Sequence, residues 1–161
     1  MKEELKIRLR NVGDFEKNLI KLDGKFLREI NAIDTYFKQP KGEVLKITED
    51  DRGDYLVSLK SENGKFKIIK YKPLTEAKKT KKELSMKFGI KCILKKKRRF
   101  FELGKYKINI NLINNLGDFL IIEGKDLNKK IITDKLKIKN PEFITVSFDE
   151  LFSKKINKKD K

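Results

Sequence analysis

Lys2, Glu4, Lys6 and Arg8 alternate with Glu3, Leu5 and Ile7 at the start of the chain. Side chains of a strand alternate faces with period two, so charges of both signs gather there on one face, opposite a mostly apolar one. A later segment repeats the design: Lys105, Lys107, Asn109 and Asn111 share a face, opposite Tyr106, Ile108 and Ile110. Ammonium and guanidinium groups in such a row suit the oxygens of a polyanion. A polar strand face ordinarily meets solvent. Turned inward in a closed sheet, it would line a cavity for a polyanion.

The 161-residue chain carries 41 Lys and Arg against 24 Asp and Glu, a formal net charge of +17. Anions are therefore the expected partners, whether RNA, nucleotides, polyphosphate or an anionic surface. Part of the excess follows composition, since only six of the basic residues are Arg and Ile and Asn abound, as in AT-rich genomes. Histidine is absent, which excludes His-based triads, His metal ligands and His general bases. The lone Cys92 cannot close an internal disulfide and sits beside Ile90 and Ile93, which predicts a buried structural thiol. No Gly-rich phosphate loop occurs. The start of the chain lacks an apolar leader core, and the longest apolar run, 119–122, is too short to span a bilayer. A cytoplasmic protein without a membrane partner is expected.

Residues 4–10 read as a strand, followed by a helix that Asp14 caps and that runs through Leu22 to Gly24. Strands are expected at 25–37, 43–49, 54–60 and 65–72, the last two joined by Asn63-Gly64, a strong hairpin signal. A helix over 75–88 stops at Gly89, and strands follow at 91–101, 105–112 and 119–123. Helix, Gly, Lys and an aromatic-ended strand recur at 19–37 and 84–101, which predicts two similar half-barrels. Beyond Lys125 the pattern is irregular. A short helix is expected at 147–152 and a disordered basic tail at 154–161, so residues 1–153 form the one domain. These elements predict an α+β fold: an eight-stranded antiparallel β-barrel with peripheral helices, closed because closure removes unpaired edges. Such a barrel is wide enough to hold a small ligand.

Asp34-Thr35-Tyr36-Phe37, Leu45-Lys46-Ile47, Lys60, Lys96-Lys97-Arg98, Leu116-Gly117-Asp118-Phe119 and Ser147-Phe148-Asp149-Glu150-Leu151 follow one another along the chain. Their order resembles that of the CYTH superfamily, nearest its class IV adenylyl cyclase-like members, and the likeness covers nearly the whole sequence. The resemblance implies a triphosphate tunnel, a barrel lined by Lys and Arg for phosphates and by carboxylates for Mg²⁺ or Mn²⁺. Position by position, it implies that Lys6, Arg8, Lys46, Lys60, Lys96 and Arg98 hold phosphate and that Glu4 and Glu123 hold the metal. Several positions depart from the family. Its opening Glu-x-Glu-x-Lys is Lys2-x-Glu4-x-Lys6, and its Arg-x-Arg is Lys46-x-Thr48. Its fifth-strand Glu pair is missing, with Lys70-x-Lys72 at the expected positions. Its Leu-Asp is Ile110-Asn111, and its later acid pair is Ile121 and Glu123.

With Lys2, Lys70 and Lys72 added to the six, about nine cations would face two acids, and like charges confined together disfavour their charged forms. A bound polyanion would relieve that repulsion. The expected function is binding of a triphosphate moiety, of a nucleoside triphosphate or inorganic tri- or polyphosphate. Mg²⁺ or Mn²⁺ is bound weakly, and hydrolysis or cyclisation is weakened or lost. The alternatives are an active metal-dependent triphosphatase or adenylyl cyclase, and a non-enzymatic RNA or polyanion binder using the outer basic surface, where Lys97 and Arg99 point.

Overall fold

Period-two alternation is realised in eight antiparallel strands within residues 2–159, which the computed structural model describes. In chain order the elements are β1 (Glu3–Arg8), α1 (Val12–Lys21), β2 (Lys25–Phe37), β3 (Glu43–Asp50), β4 (Gly53–Glu62), β5 (Lys65–Leu74) and α2 (Ala77–Phe88). Then come β6 (Ile90–Leu103), β7 (Tyr106–Ile113), β8 (Gly117–Gly124), α3 (Lys129–Lys135) and α4 (Phe148–Lys159). The strands close in the order β1-β5-β4-β3-β2-β6-β7-β8, and β8 pairs back onto β1 from Glu3↔Gly124 to Arg8↔Phe119. The expected closed eight-stranded barrel is the one the chain forms.

The order strand, helix, three strands occurs twice, from β1 to β4 and from β5 to β8. The halves meet at four joins, where β1 pairs β5, β4 pairs β5, β2 pairs β6 and β8 pairs β1. The repeat read at 19–37 and 84–101 corresponds to α1–β2 and α2–β6. The β4–β5 hairpin turns at Asn63 and Gly64, both at positive φ (55° and 75°), as a two-residue turn of primed type requires.

The main apolar core of one flank lies outside the barrel. Leu5 and Ile7 of β1, Ile108 and Ile110 of β7 and Leu120 and Ile122 of β8 face outward, under Phe15 and Leu19 of α1 and Ile132 of α3. Burial there supplies the hydrophobic driving force, about 25 cal/mol per Å² of apolar surface, and leaves the opposite strand faces free to be polar. A second cluster floors one end of the barrel: Ile113, Leu116, Phe119, Ile144 and Phe148. The segment before α4 is fastened to β1, since Arg8 N donates to Glu142 O (3.0 Å) and Ile144 N to Lys6 O (2.9 Å).

Three local expectations are corrected. Asn11, not Asp14, caps α1: its side-chain oxygen accepts from Asp14 N at 3.0 Å, and Asp14 lies in the first turn. The irregular stretch after Lys125 contains α3, whose cap is Asn128. The segment 154–159, expected to be disordered, continues α4 to Lys159, because Leu151 and Phe152 anchor the helix on the barrel floor. Asp160 and Lys161 of the expected tail lie outside the described residues. Cys92 is half-buried, and burial pushes its thiol up to about 11, as suits an inert structural cysteine. No helix among the described residues is long and apolar enough to cross a membrane.

The two-faced construction is testable at Ile108, which is fully buried on the outer face of β7. Ile108→Ala should cost about 2–5 kcal/mol in urea unfolding, as buried large-to-small changes do. Ligand affinity of the folded variant should stay within about twofold of the parent, since the deletion is on the wall's outer side.

Candidate functional site

The inward faces enclose a cavity of about 450 Å³. Its floor is the Phe119–Phe148 cluster, and its rim is built at the opposite end by Arg28 near the start of β2, Arg52 in the β3–β4 turn, Tyr71 late in β5 and Glu102 late in β6. Between them stand Lys2, Glu4 and Lys6 on the β1 side, Lys46 on β3, Lys96 and Arg98 on β6, Lys107 and Asn111 on β7, and Glu123 on β8. Alternation delivers these groups to one space, because residues two apart on a regular strand share a face.

The electrostatic centre is Asp34 of β2, 1% exposed. Lys96 Nζ lies 2.5 Å from its Oδ2 and Lys46 Nζ 2.8 Å from the same atom. Thr48 Oγ1 donates to Oδ1 at 2.6 Å, and Tyr36 Oη donates to Oδ2 at 3.3 Å while accepting from Lys96 at 3.2 Å. Register explains the gathering: Asp34 sits across from Thr48, and Tyr36 across from Lys46. Burial alone would raise the Asp34 pKa, but Lys46 and Lys96 hold it far below the carboxylate range. The Tyr36 phenol is pushed well up by burial and by the Asp34 charge. One carboxylate cannot neutralise two ammonium groups. The deficit appears at Lys96, 6% exposed, whose pKa burial lowers to about 7, with Lys46 adding repulsion against the pull of Asp34.

Lys6, 3% exposed, is poorer still in partners. Among the described residues no carboxylate forms an ion pair with it; its ammonium sits over the Phe66 ring at 3.8 Å and the Phe148 ring at 4.2 Å. Burial lowers its pKa to about 8, partly offset by Glu4 and more weakly by Asp149 and Asp34, and aggravated by Lys46. Three donors that line the cavity are also buried without a hydrogen-bond partner among the described residues: Arg98 Nε and Asn111 Nδ2, on register-paired positions of β6 and β7, and the Ser147 hydroxyl. A multivalent anion would satisfy all of these at once.

Glu4 and Glu123 are register partners on β1 and β8, and both reach the cavity. Lys2 Nζ lies 3.4 Å from Glu123 Oε1, and Lys107 is the register partner of Glu123 on β7. No cluster of three or more Asp, Glu, Cys or His is present among the described residues. The pair fits a divalent cation that takes most of its ligands from phosphate and water, not one caged by protein.

Of the residues implied from sequence, Glu4, Lys6, Lys46, Lys96, Arg98 and Glu123 line the cavity, as does Lys2. Arg8 does not. It keeps the face of Lys6 but lies past the floor, over Phe119 (5.0 Å), where its Nε donates to Glu142 at 2.7 Å. Lys60 is exposed on the outer face of β4, whose inward residues are Val57 and Leu59. Lys70 and Lys72 are likewise outside. An extra residue, Ile69, interrupts the β4–β5 ladder between Ser58↔Lys70 and Leu59↔Ile68, and the bulge flips the parity so that Tyr71 points in. Asp34 was overlooked as a site carboxylate, although a lone acid between Ile33 and Thr35 in a β-branched run is a signal, since a buried acid needs a partner. Arg28 and Arg52 were also overlooked, because strand-end and turn residues obey no alternation.

The lysine shifts set a pH dependence. Against the ordinary 10.5, values near 7 for Lys96 and 8 for Lys6 mean that the folded barrel binds fewer protons than the unfolded chain from about pH 7 to 10. Stability of the ligand-free protein should therefore rise with pH across that window. Urea midpoints at pH 7 and pH 9 test this: the midpoint should be higher at pH 9, with a smaller gain in Lys6→Met. A midpoint that falls between the two would contradict the shifts.

No protein-family model matches the sequence, and no curated protein matches it. Solved structures do. The PH1012 protein of Pyrococcus horikoshii superposes with a TM-score of 0.81 at 22% identity, over 94% of this chain and 99% of its own. A candidate adenylate cyclase of Vibrio parahaemolyticus gives 0.72 at 16% identity, over 94% and 97%. HpAC1 of Hippeastrum, described as a candidate adenylyl cyclase with a dominant triphosphatase activity, gives 0.67 at 11% identity, over 96% of each chain. The closed barrel with its charged interior is thus the CYTH, or triphosphate-tunnel, fold.

Proposed function

We propose that the barrel binds a triphosphate moiety, and that metal-dependent hydrolysis or cyclisation of that moiety is weakened or lost. The observation that carries this reading is the charge at depth, where Lys6, Lys46 and Lys96 converge. Among the described residues Asp34 is the one carboxylate in ion-pair contact with any of the three, the other buried acid nearby, Asp149, being paired with Lys91. The unpartnered Arg98 Nε and Asn111 Nδ2 extend the donor set toward the rim. The triphosphatase activity in the description of HpAC1, a structural neighbour, supports a triphosphate as the ligand.

Lys6, Lys46, Lys96 and Arg98 would orient the phosphate chain, and the floor and rim side chains would keep bulk water from it. Glu4 and Glu123 would hold Mg²⁺ or Mn²⁺, which when bound offsets negative charge on the departing phosphate oxygens. Lys2, beside Glu123, opposes that cation electrostatically. Water as nucleophile would give a triphosphatase, and a ribose 3′-hydroxyl an adenylyl cyclase.

Calorimetric titration with inorganic triphosphate and with ATP, each in EDTA and in Mn²⁺, tests the proposal. Binding in EDTA is expected, with a melting temperature raised by several degrees, because the ligand replaces missing counter-charge. Lys96→Ala or Arg98→Ala should weaken binding roughly ten- to hundredfold, the worth of about 1.5–3 kcal/mol for a charge-assisted contact. Lys60→Ala and Lys97→Ala should change it less than about threefold, since their charges are exposed and screened. Equal sensitivity at all four sites, with RNA competing, would move the anion to the outer surface. Turnover of triphosphate by the parent at about 1–1,000 per second would refute the loss of catalysis.

A further inference from the structure

The charged groups do not surround the cavity evenly. Two neighbouring strands, β4 and β5, contribute only Val57, Leu59, Ile68 and Tyr71 to it, with no charged group and the Tyr71 hydroxyl as the lone polar atom of those side chains. Register places these residues against one another, Val57 across from Tyr71 and Leu59 across from Ile68, so they form one continuous wall. In the repeated order of the fold, the β4–β5 pair is the counterpart of the β8–β1 pair. That counterpart carries Glu4, Lys6 and Glu123. The two related walls have thus diverged, one into a polar surface and the other into an aliphatic one.

A bare phosphate chain has no use for the aliphatic wall. Its oxygens would lose water there and gain no donor, which is a cost without return. A hydrocarbon group gains by leaving water against the same wall. The ring edges of a nucleobase, with several donors and acceptors, would find on that wall the Tyr71 hydroxyl alone and nothing on Val57, Leu59 or Ile68. From this division we infer that the tunnel's ligand is a phosphate-chain ester of an aliphatic alcohol. Its phosphates lie toward Lys6, Lys96 and Arg98, and its hydrocarbon group lies along Val57, Leu59 and Ile68. The cavity, about 450 Å³, is within the range of roughly 300–1,000 Å³ usual for small-molecule sites. The inference rests on the proposed phosphate site and names the other half of its ligand.

Calorimetry on the full chain in EDTA compares geranyl diphosphate with inorganic diphosphate, and ATP with inorganic triphosphate. Geranyl diphosphate should bind at least about tenfold tighter than diphosphate, the lower end of what even one methylene is worth in an apolar pocket. ATP should gain less than about threefold over triphosphate by the same comparison, since most of the polar edge of a base would go unpartnered on that wall. Ile68→Thr and Val57→Thr, which keep branched shape, should reduce that advantage of geranyl diphosphate at least threefold and leave inorganic diphosphate unchanged. Melting curves establish that each variant is folded, and Leu59→Thr serves if one is not. Geranyl diphosphate no tighter than diphosphate overturns the inference while triphosphate binding leaves the phosphate site standing. A larger gain for ATP than for geranyl diphosphate overturns it in favour of a base subsite. If no phosphate compound binds, both fall together.

Discussion

One carboxylate shared by two ammonium groups is the interaction on which this interior depends. Asp34 brings Lys46 and Lys96 together across three strands, and Thr48 and Tyr36 complete its hydrogen bonds. Without it, two buried cations would face each other in a space with little water, a situation costing several kcal/mol. With it, they are held close but not neutralised. The site is thereby poised, stable enough to fold and still short of negative charge. The outer core makes this tolerable, since Leu5, Ile7, Ile108, Ile110, Leu120 and Ile122 bury their surface on the far side of the same strands.

How much of this was legible in the sequence depended on how regular each strand is. β1 and β7 alternate without interruption, and their polar faces, read from residue types alone, are the ones that line the cavity. β5 could not be read the same way. Its bulge at Ile69 depends on how β4 fits against it, and local sequence carries little trace of that fit. One extra residue was enough to send Lys70 and Lys72 outward and bring Tyr71 in. Lys60 failed for a different reason: a motif fixes identity and order, not parity, and in β4 the inward positions are the odd ones. Arg8 had the right face and the wrong depth, because the floor is made by Phe148, distant in sequence. The closed sheet itself was legible from strand number and hairpin signals, whereas α3 was not, being a short helix held by packing of Ile132 on the outer core.

The duplicated order of elements offers a frame for the asymmetry inside. β2 and β6, equivalent in the two halves, pair along most of their length and supply Asp34 and its partner Lys96 from facing sides of the join. The central ion group therefore sits at a join between halves, one half supplying Asp34 and Lys46 and the other Lys96. The other equivalent joins, β4–β5 and β8–β1, differ in the residues they turn inward.

Phe148 packs against Phe119 and carries the Lys6 ammonium over its ring face at 4.2 Å. An aromatic face steadies a cation without bringing a formal negative charge to it. Lys6 is thereby seated without being spent, and an arriving anion has no ion pair among the described residues to break before it binds there.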